Sequence, residues 1–135
     1  MQTVRIAVAG YELVARFEGE AAPRTCAAFQ ALLPYTQRII HARWSGEACW
    51  ILGDFRLDVE FENATSYPAP GEILFYPGGY SETEILFPYG ATRFASKLGQ
   101  LAGNHFLTVI EGRDHLRTIG ERVLWQGAQE IAFTA

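Results

Sequence analysis

Arg43 lies within Ile39-Ile40-His41-Ala42-Arg43-Trp44-Ser45-Gly46-Glu47-Ala48-Cys49-Trp50-Ile51, an apolar and aromatic stretch broken by a Ser-Gly pair. If Ser45-Gly46 is a two-residue turn, Trp44 faces Glu47, Arg43 faces Ala48, Ala42 faces Cys49 and His41 faces Trp50. Alternation then puts Ile40, Ala42, Cys49 and Ile51 on one surface with Trp44 and Glu47, a small and mostly apolar set suited to an interior. The opposite surface carries His41, Arg43, Ala48 and Trp50. A guanidinium beside an indole and an imidazole, over an alanine floor, can hold a carboxylate or a carbonyl oxygen. The alternative is a solvated sheet face on which Arg43 lies along Trp50 for packing. A one-residue slip of the hairpin would turn Arg43 inward.

Other side chains could share such a site. Glu82 and Glu84, in Ser81-Glu82-Thr83-Glu84-Ile85-Leu86, have the same parity and would point to one face. There Glu84 could pair with Arg43 or hold a ligand amine, and paired carboxylates can do acid–base work when burial separates their pKa values. The alternative is an edge strand carrying two acids for solubility. Lys97 is the sole lysine among ten arginines. A catalytic lysine needs desolvation or a cationic neighbour, for which Arg93 is nearest; a plain loop lysine is the simpler reading. His41, His105 and Glu84 would resemble a metal-ligand set, but no HxH or HxxxH spacing supports it and Arg43 would repel a cation, so neither metal nor cofactor is expected. Ser81 and Ser96 lack a nucleophile elbow, and Gly78-Gly79 precedes no phosphate-binding helix.

These residues need a scaffold, and the hydrophobic pattern supplies one. Val4, Ile6 and Val8 alternate, Ala9-Gly10 offers a turn, and Leu13, Ala15 and Phe17 alternate back, which predicts a hairpin. Pro23 suits the first turn of a helix whose face carries Cys26, Phe29, Leu32 and Leu33, and Pro34 stops it. From Arg38 to Phe94 the pattern is strand-like, with Gly and Pro at the bends. His105 to Ile110 reads as a strand, about Arg113 to Leu124 as a helix with Leu116, Ile119 and Val123 inward, and Glu130 to Phe133 as a last strand. Many strands with two lone helices predict a mainly β protein, a β-barrel capped by two short helices, as a single domain over residues 1–135.

The composition agrees with that and excludes several classes. A chain of 135 residues with 49% hydrophobic and 19% charged residues can build a core and is not disordered. The net charge of -4 provides no basic field for a phosphate backbone, so no nucleic-acid partner is expected. No run of about 18 apolar residues occurs, so no membrane span is expected. Met1 to Phe17 lacks the signal-peptide pattern, which favours a cytoplasmic location, and Cys26 and Cys49 read as buried free thiols.

At this point the chain resembles a cyclophilin. Pro23-Arg24-Thr25 with Phe29 and Leu32 is similar to that fold's first helix, and Arg43 precedes Phe55 of Gly53-Asp54-Phe55 by twelve residues, as the cyclophilin catalytic arginine precedes its Gly-Asp-Phe. Leu101-Ala102-Gly103-Asn104-His105-Phe106 looks like the segment whose leucine and histidine line the cyclophilin pocket, and Val109-Ile110-Glu111-Gly112 resembles the stretch before its second helix. Ser81 to Leu86 lies where cyclophilins have a pocket strand. The peptide-binding Phe, Met and Gln of cyclophilins become Ala48, Cys49 and Ile51, and the pocket tryptophan becomes Gln100. The chain looks closer to small bacterial proteins of unknown function that keep a minimal cyclophilin-like barrel.

The resemblance implies a fold and a pocket location. The leading expectation is binding of a small polar or carboxylate-bearing metabolite, with Arg43 as anchor, Glu84 and His105 as polar and candidate catalytic partners, and His41, Trp50 and Leu101 completing the site. A second reading is a peptidyl-prolyl cis-trans isomerase using Arg43 on a bound peptide. A third is an interaction module, in which Tyr67, Tyr76, Tyr80, Phe87 and Tyr89 form an aromatic surface for homo-oligomerisation.

Overall fold

The computed structural model describes residues 2–53 and 57–135. The alternation at the N-terminus produces the expected hairpin of β1 (Thr3–Val8) and β2 (Tyr11–Phe17), in which Val8 pairs with Tyr11. Its turn residues Ala9 and Gly10 both have positive φ, 51° and 86°, the handedness that matches strand twist in a two-residue turn. Helix α1 (Pro23–Gln30) follows, then β3 (Tyr35–His41), β4 (Gly46–Leu52), the short β5 (Ala64–Thr65), β6 (Glu72–Tyr76) and β7 (Glu84–Thr92). A small hairpin of β8 (Ala95–Ser96) and β9 (Gly99–Gln100) leads to β10 (Gly103–Glu111), α2 (Leu116–Gln126) and β11 (Gln129–Thr134).

Eight strands close on themselves in the order β2-β1-β11-β3-β4-β7-β6-β10, with β10 returning to β2. Ile6, Leu13, Ile39, Ile51, Phe75 and Phe133 are among the fully buried side chains of the enclosed core. The helices close opposite ends. In α1, Phe29 packs edge-on against Tyr35, Phe106 and Phe133, where β3 begins and β11 finishes. In α2, Leu116, Ile119 and Val123 face inward as expected, and Arg122 donates to the carbonyl of Ala9 at the other end. The first helix is shorter than its apolar face suggested. After Gln30 the chain tightens into bonds from Leu32 N–H to Phe29 O and Leu33 N–H to Gln30 O, so both leucines pack from a turn.

A buried polar knot ties α1 to the segment before β5. Thr25 donates both its backbone N–H and its hydroxyl to Glu62 Oε2, at 2.6 and 2.7 Å. Asn104, fully buried, donates to Thr25 Oγ1 and Glu60 O and accepts from Glu62 N–H. Truncating Asn104 would strand several of these groups in the interior. Asn104→Ala should therefore cost about 2–3 kcal/mol in denaturant unfolding; a cost below about 0.5 kcal/mol would show that the knot adds nothing.

Strands β4, β6 and β7 bury both of their faces. Their inward side chains join the barrel core, while Ala48, Leu74, Tyr76 and Leu86 form a second cluster on the outer wall beneath Phe94 and Leu101. Gly103 makes this roof fit, because a Cβ there would lie 2.8 Å from the Phe94 ring and 3.0 Å from Leu74. Tyr76, Phe87 and Tyr89 are therefore core residues (2%, 1% and 5% exposed), and the aromatic surface expected of an interaction module reduces to Tyr67 and Tyr80.

Candidate functional site

The loop that carries Arg43 differs from the two-residue turn the sequence suggested. Ile40 pairs with Trp50 and His41 with Cys49, one residue out of the expected register, and Ala42 N–H bonds Ala48 O. The cause is Ser45, which is buried and engaged elsewhere. Its hydroxyl donates to Ala95 O and accepts from Ala95 N–H, both at 3.1 Å, and its carbonyl accepts from Arg93 N–H. Gly46 (φ 88°) already belongs to the β4–β7 ladder, opposite Thr92.

The slip sorts the side chains anew. Cys49 and Ile51 face the core and Ala48 and Trp50 the outer wall, as expected of β4. On β3 the assignment is reversed, with Ile40 partly exposed on the outer side and His41 on the core side. Arg43 itself is exposed in the loop, rather than turned inward.

His41 is committed to the end of the barrel. A carbonyl can only accept, so Nδ1 carries the proton donated to Ala42 O (2.7 Å), and in the neutral ring Nε2 accepts from the Tyr89 hydroxyl (2.8 Å). Tyr89 in turn lies under Arg117, whose guanidinium forks onto Glu47 at 2.9 and 3.1 Å. The Arg117 bonds, with a further one from Ala91 N–H, hold the Glu47 carboxyl below the usual range.

Arg43, Trp50 and Glu84 do come together. They line a depression of about 170 Å3 on the outer wall, between the β3–β4 loop, the start of β7 and the β8–β9 hairpin. Glu84 follows the outward parity of Leu86 and stands opposite Leu52 and Tyr76 in the neighbouring strands. Only 7% of it is exposed. Burial, and then the negative charge of Glu82, push its carboxyl up to about 8, so it is neutral at pH 7. Glu82 lines the same depression from the loop just before the strand.

Five further residues line the depression that residue type and spacing alone do not place there. Trp44, assigned to the interior, is 57% exposed and forms one wall. Lys97, taken as a plain loop lysine, also lines the depression, and Ser45, Ser81 and Ser96 add hydroxyls. The available signals were the uniqueness of Lys97 and the Gly99 that lets its hairpin turn.

Leu101 and His105 stand apart from this lining. Leu101 is a roof residue of the outer cluster. His105 belongs to β10, which is separated from β3 by β4, β7 and β6 one way and by β11, β1 and β2 the other, so the two strands are diametrically opposed. Its Nε2–H donates to Thr108 Oγ1 (2.7 Å), because the Thr108 proton goes to Glu18 (2.6 Å). The positions equivalent to the cyclophilin peptide platform, Ala48, Cys49 and Ile51, are all fully buried. Of the Gly53-Asp54-Phe55 likeness, Asp54 and Phe55 lie outside the described residues.

Among the described residues no three His, Cys, Asp or Glu side chains converge as a metal set. No helix among them is long and apolar enough to cross a membrane. Cys26 and Cys49 are free and buried, and burial pushes their thiols up to about 11 and about 12, far from a reactive thiolate.

Comparison with known structures gives the fold a name. McbB, solved in complex with tryptophan, matches with a TM-score of 0.74 at 19% identity, over 97% of this chain and 44% of that one. The chain thus spans less than half the length of McbB. A hypothetical protein from Archaeoglobus fulgidus matches with a TM-score of 0.63 at 17% identity, over 98% of this chain and 93% of that one. A cyclophilin-type peptidyl-prolyl cis-trans isomerase from Cryptosporidium parvum, solved in the presence of the dipeptide Ala-Pro, matches with a TM-score of 0.55 at 18% identity, over 88% and 85%. At these identities the likeness establishes a cyclophilin-like barrel and nothing of its chemistry. No curated protein matches the sequence. Residues 4–135 fit the family model described as "Protein of unknown function (DUF3830)", and the chain belongs to that family.

Proposed function

We propose that the protein binds a small carboxylate-bearing metabolite in the depression around Arg43. One observation carries this reading. Arg43 and Lys97 line a single concavity, yet the ion pairs among the described residues are Arg16–Glu18 and Arg117–Glu47, which leaves both cations without a protein partner. A guanidinium presents a planar fork that matches a carboxylate, and a neighbouring ammonium adds charge. Trp44 and Trp50 offer flat apolar walls, and Glu84 remains as a polar partner for a second group of the ligand. At about 170 Å3 the space falls below the roughly 300–1,000 Å3 typical of drug-sized sites, which suits a compact metabolite.

Titration calorimetry with 3-phenylpropionate tests this. Losing a charge-assisted pair costs about 1.5–3 kcal/mol, so Arg43→Ala should weaken binding by roughly ten- to a hundredfold. Because Arg43 is exposed and unpaired, the melting temperature should hold. Equal affinity in the variant and the parent protein would remove Arg43 from the site.

A further inference from the structure

The depression holds charges of both signs that do not neutralise one another. Arg43, Lys97, Glu82 and Glu84 all line it, and among the described residues none of these side chains forms an ion pair or a hydrogen bond. Glu84 is the unusual member. Only 7% of the residue is exposed, its carboxyl has no protein partner and keeps contact only with the depression, and its strand neighbours Leu52, Tyr76 and Leu86 offer it no charge. A mostly desolvated carboxyl that meets no protein donor is best satisfied by a donor brought into the depression.

A simple anion would satisfy the cations and leave Glu84 stranded. A simple amine would meet Glu84 and be repelled by Arg43 and Lys97. A molecule bearing both groups satisfies the whole lining. Resting on the reading of this depression as a binding site, we propose that its ligand is a small amphoteric molecule of amino-acid size, with its carboxylate on Arg43 and Lys97 and its ammonium on Glu84.

The apolar part of the ligand then lies against Trp44 and Trp50, whose ring faces also favour a nearby ammonium. Glu82, exposed at the mouth, adds to the attraction for the amine end. Since Glu84 is neutral at pH 7, the arriving ammonium shifts it to the carboxylate. The carboxyl O–H bond breaks, its proton passes to the buffer, and the ligand amine keeps its own protons.

The test compares three probes on the full chain at pH 7: L-phenylalanine, 3-phenylpropionate, which lacks the amine, and 2-phenylethylamine, which lacks the carboxylate. Calorimetry in phosphate and in Tris, whose ionisation enthalpies differ, counts protons. L-Phenylalanine should bind about tenfold or more tightly than either analogue and release roughly one proton per site. In Glu84→Gln its affinity should fall to that of 3-phenylpropionate and the proton release should vanish. Equal binding of L-phenylalanine and 3-phenylpropionate by the parent protein would overturn the amphoteric assignment and leave the Arg43 reading standing. Binding of 2-phenylethylamine alone would overturn both, as would no binding by any of the three.

Discussion

Glu84→Gln should make the protein more stable, by an amount that grows with pH. In the unfolded chain the carboxyl ionises near 4.5, whereas in the fold it holds its proton to about 8. Between these values the unfolded state binds fewer protons, so stability falls as pH rises, and above about 8 the full cost is present. A shift of this size corresponds to a cost of about 5 kcal/mol. A glutamine at this position is neutral at every pH and escapes it. The variant should melt about 15 °C higher than the parent protein at pH 8.5 and at nearly the same temperature at pH 4. Melting curves at the two pH values decide the matter, and a gain equal at both would mean that Glu84 is not the desolvated acid the fold describes. A protein that carries such a cost on one exposed wall resembles other binding sites, where local stability is lower than packing alone would allow.

Phe29→Ala should have an effect of similar size and opposite sign. Phe29 is fully buried and meets Phe106 and Phe133 with ring centroids 5.2 and 5.1 Å away. It is the side chain through which α1 closes its end of the barrel. The rings around it belong to three strands already fixed by their ladders, so little collapse into the vacated space is available. Removal of the ring should cost about 3–5 kcal/mol by urea unfolding. The Arg43 depression is formed by the opposite ends of β3 and β4 and the outer wall, so ligand affinity should persist wherever the variant remains folded. A cost below about 1 kcal/mol would show that α1 is not part of the cooperative core.

Much of the scaffold was legible because its signals are local. The β1–β2 hairpin followed from alternation on both sides of Ala9-Gly10, and the inward face of α2 from Leu116, Ile119 and Val123 at helical spacing. What stayed hidden depends on contacts distant in sequence. Ser45 looked like a turn residue, but its bonds go to Arg93 and Ala95, some fifty positions on, and these set the β3–β4 register. Tyr76, Phe87 and Tyr89 looked like surface aromatics, because nothing near them shows that β6 and β7 are covered on both faces.

The candidate site was legible in the same uneven way. Arg43, Trp50 and Glu84 were identified from residue type and parity, and the fold brings them to one depression. His105 and Leu101 were placed with them through the cyclophilin resemblance. Each has a different post here, His105 on the Thr108–Glu18 relay and Leu101 in the roof of the outer cluster. Lys97 reads as a plain loop lysine and Trp44 as an interior residue, because a hairpin far along the chain and a slipped register decide where they point.

The most direct test of the central claim is an NMR titration with L-phenylalanine, following backbone amides and the indole N–H signals. Shifts should be confined to residues 42–45, 81–84 and 95–97 and to the indoles of Trp44 and Trp50, and in Arg43→Ala the same shifts should need roughly ten- to a hundredfold more ligand. Shifts clustered instead at the shallow concavity around Tyr11, Glu12, Gln129 and Glu130 would contradict it, as would a spectrum that does not move.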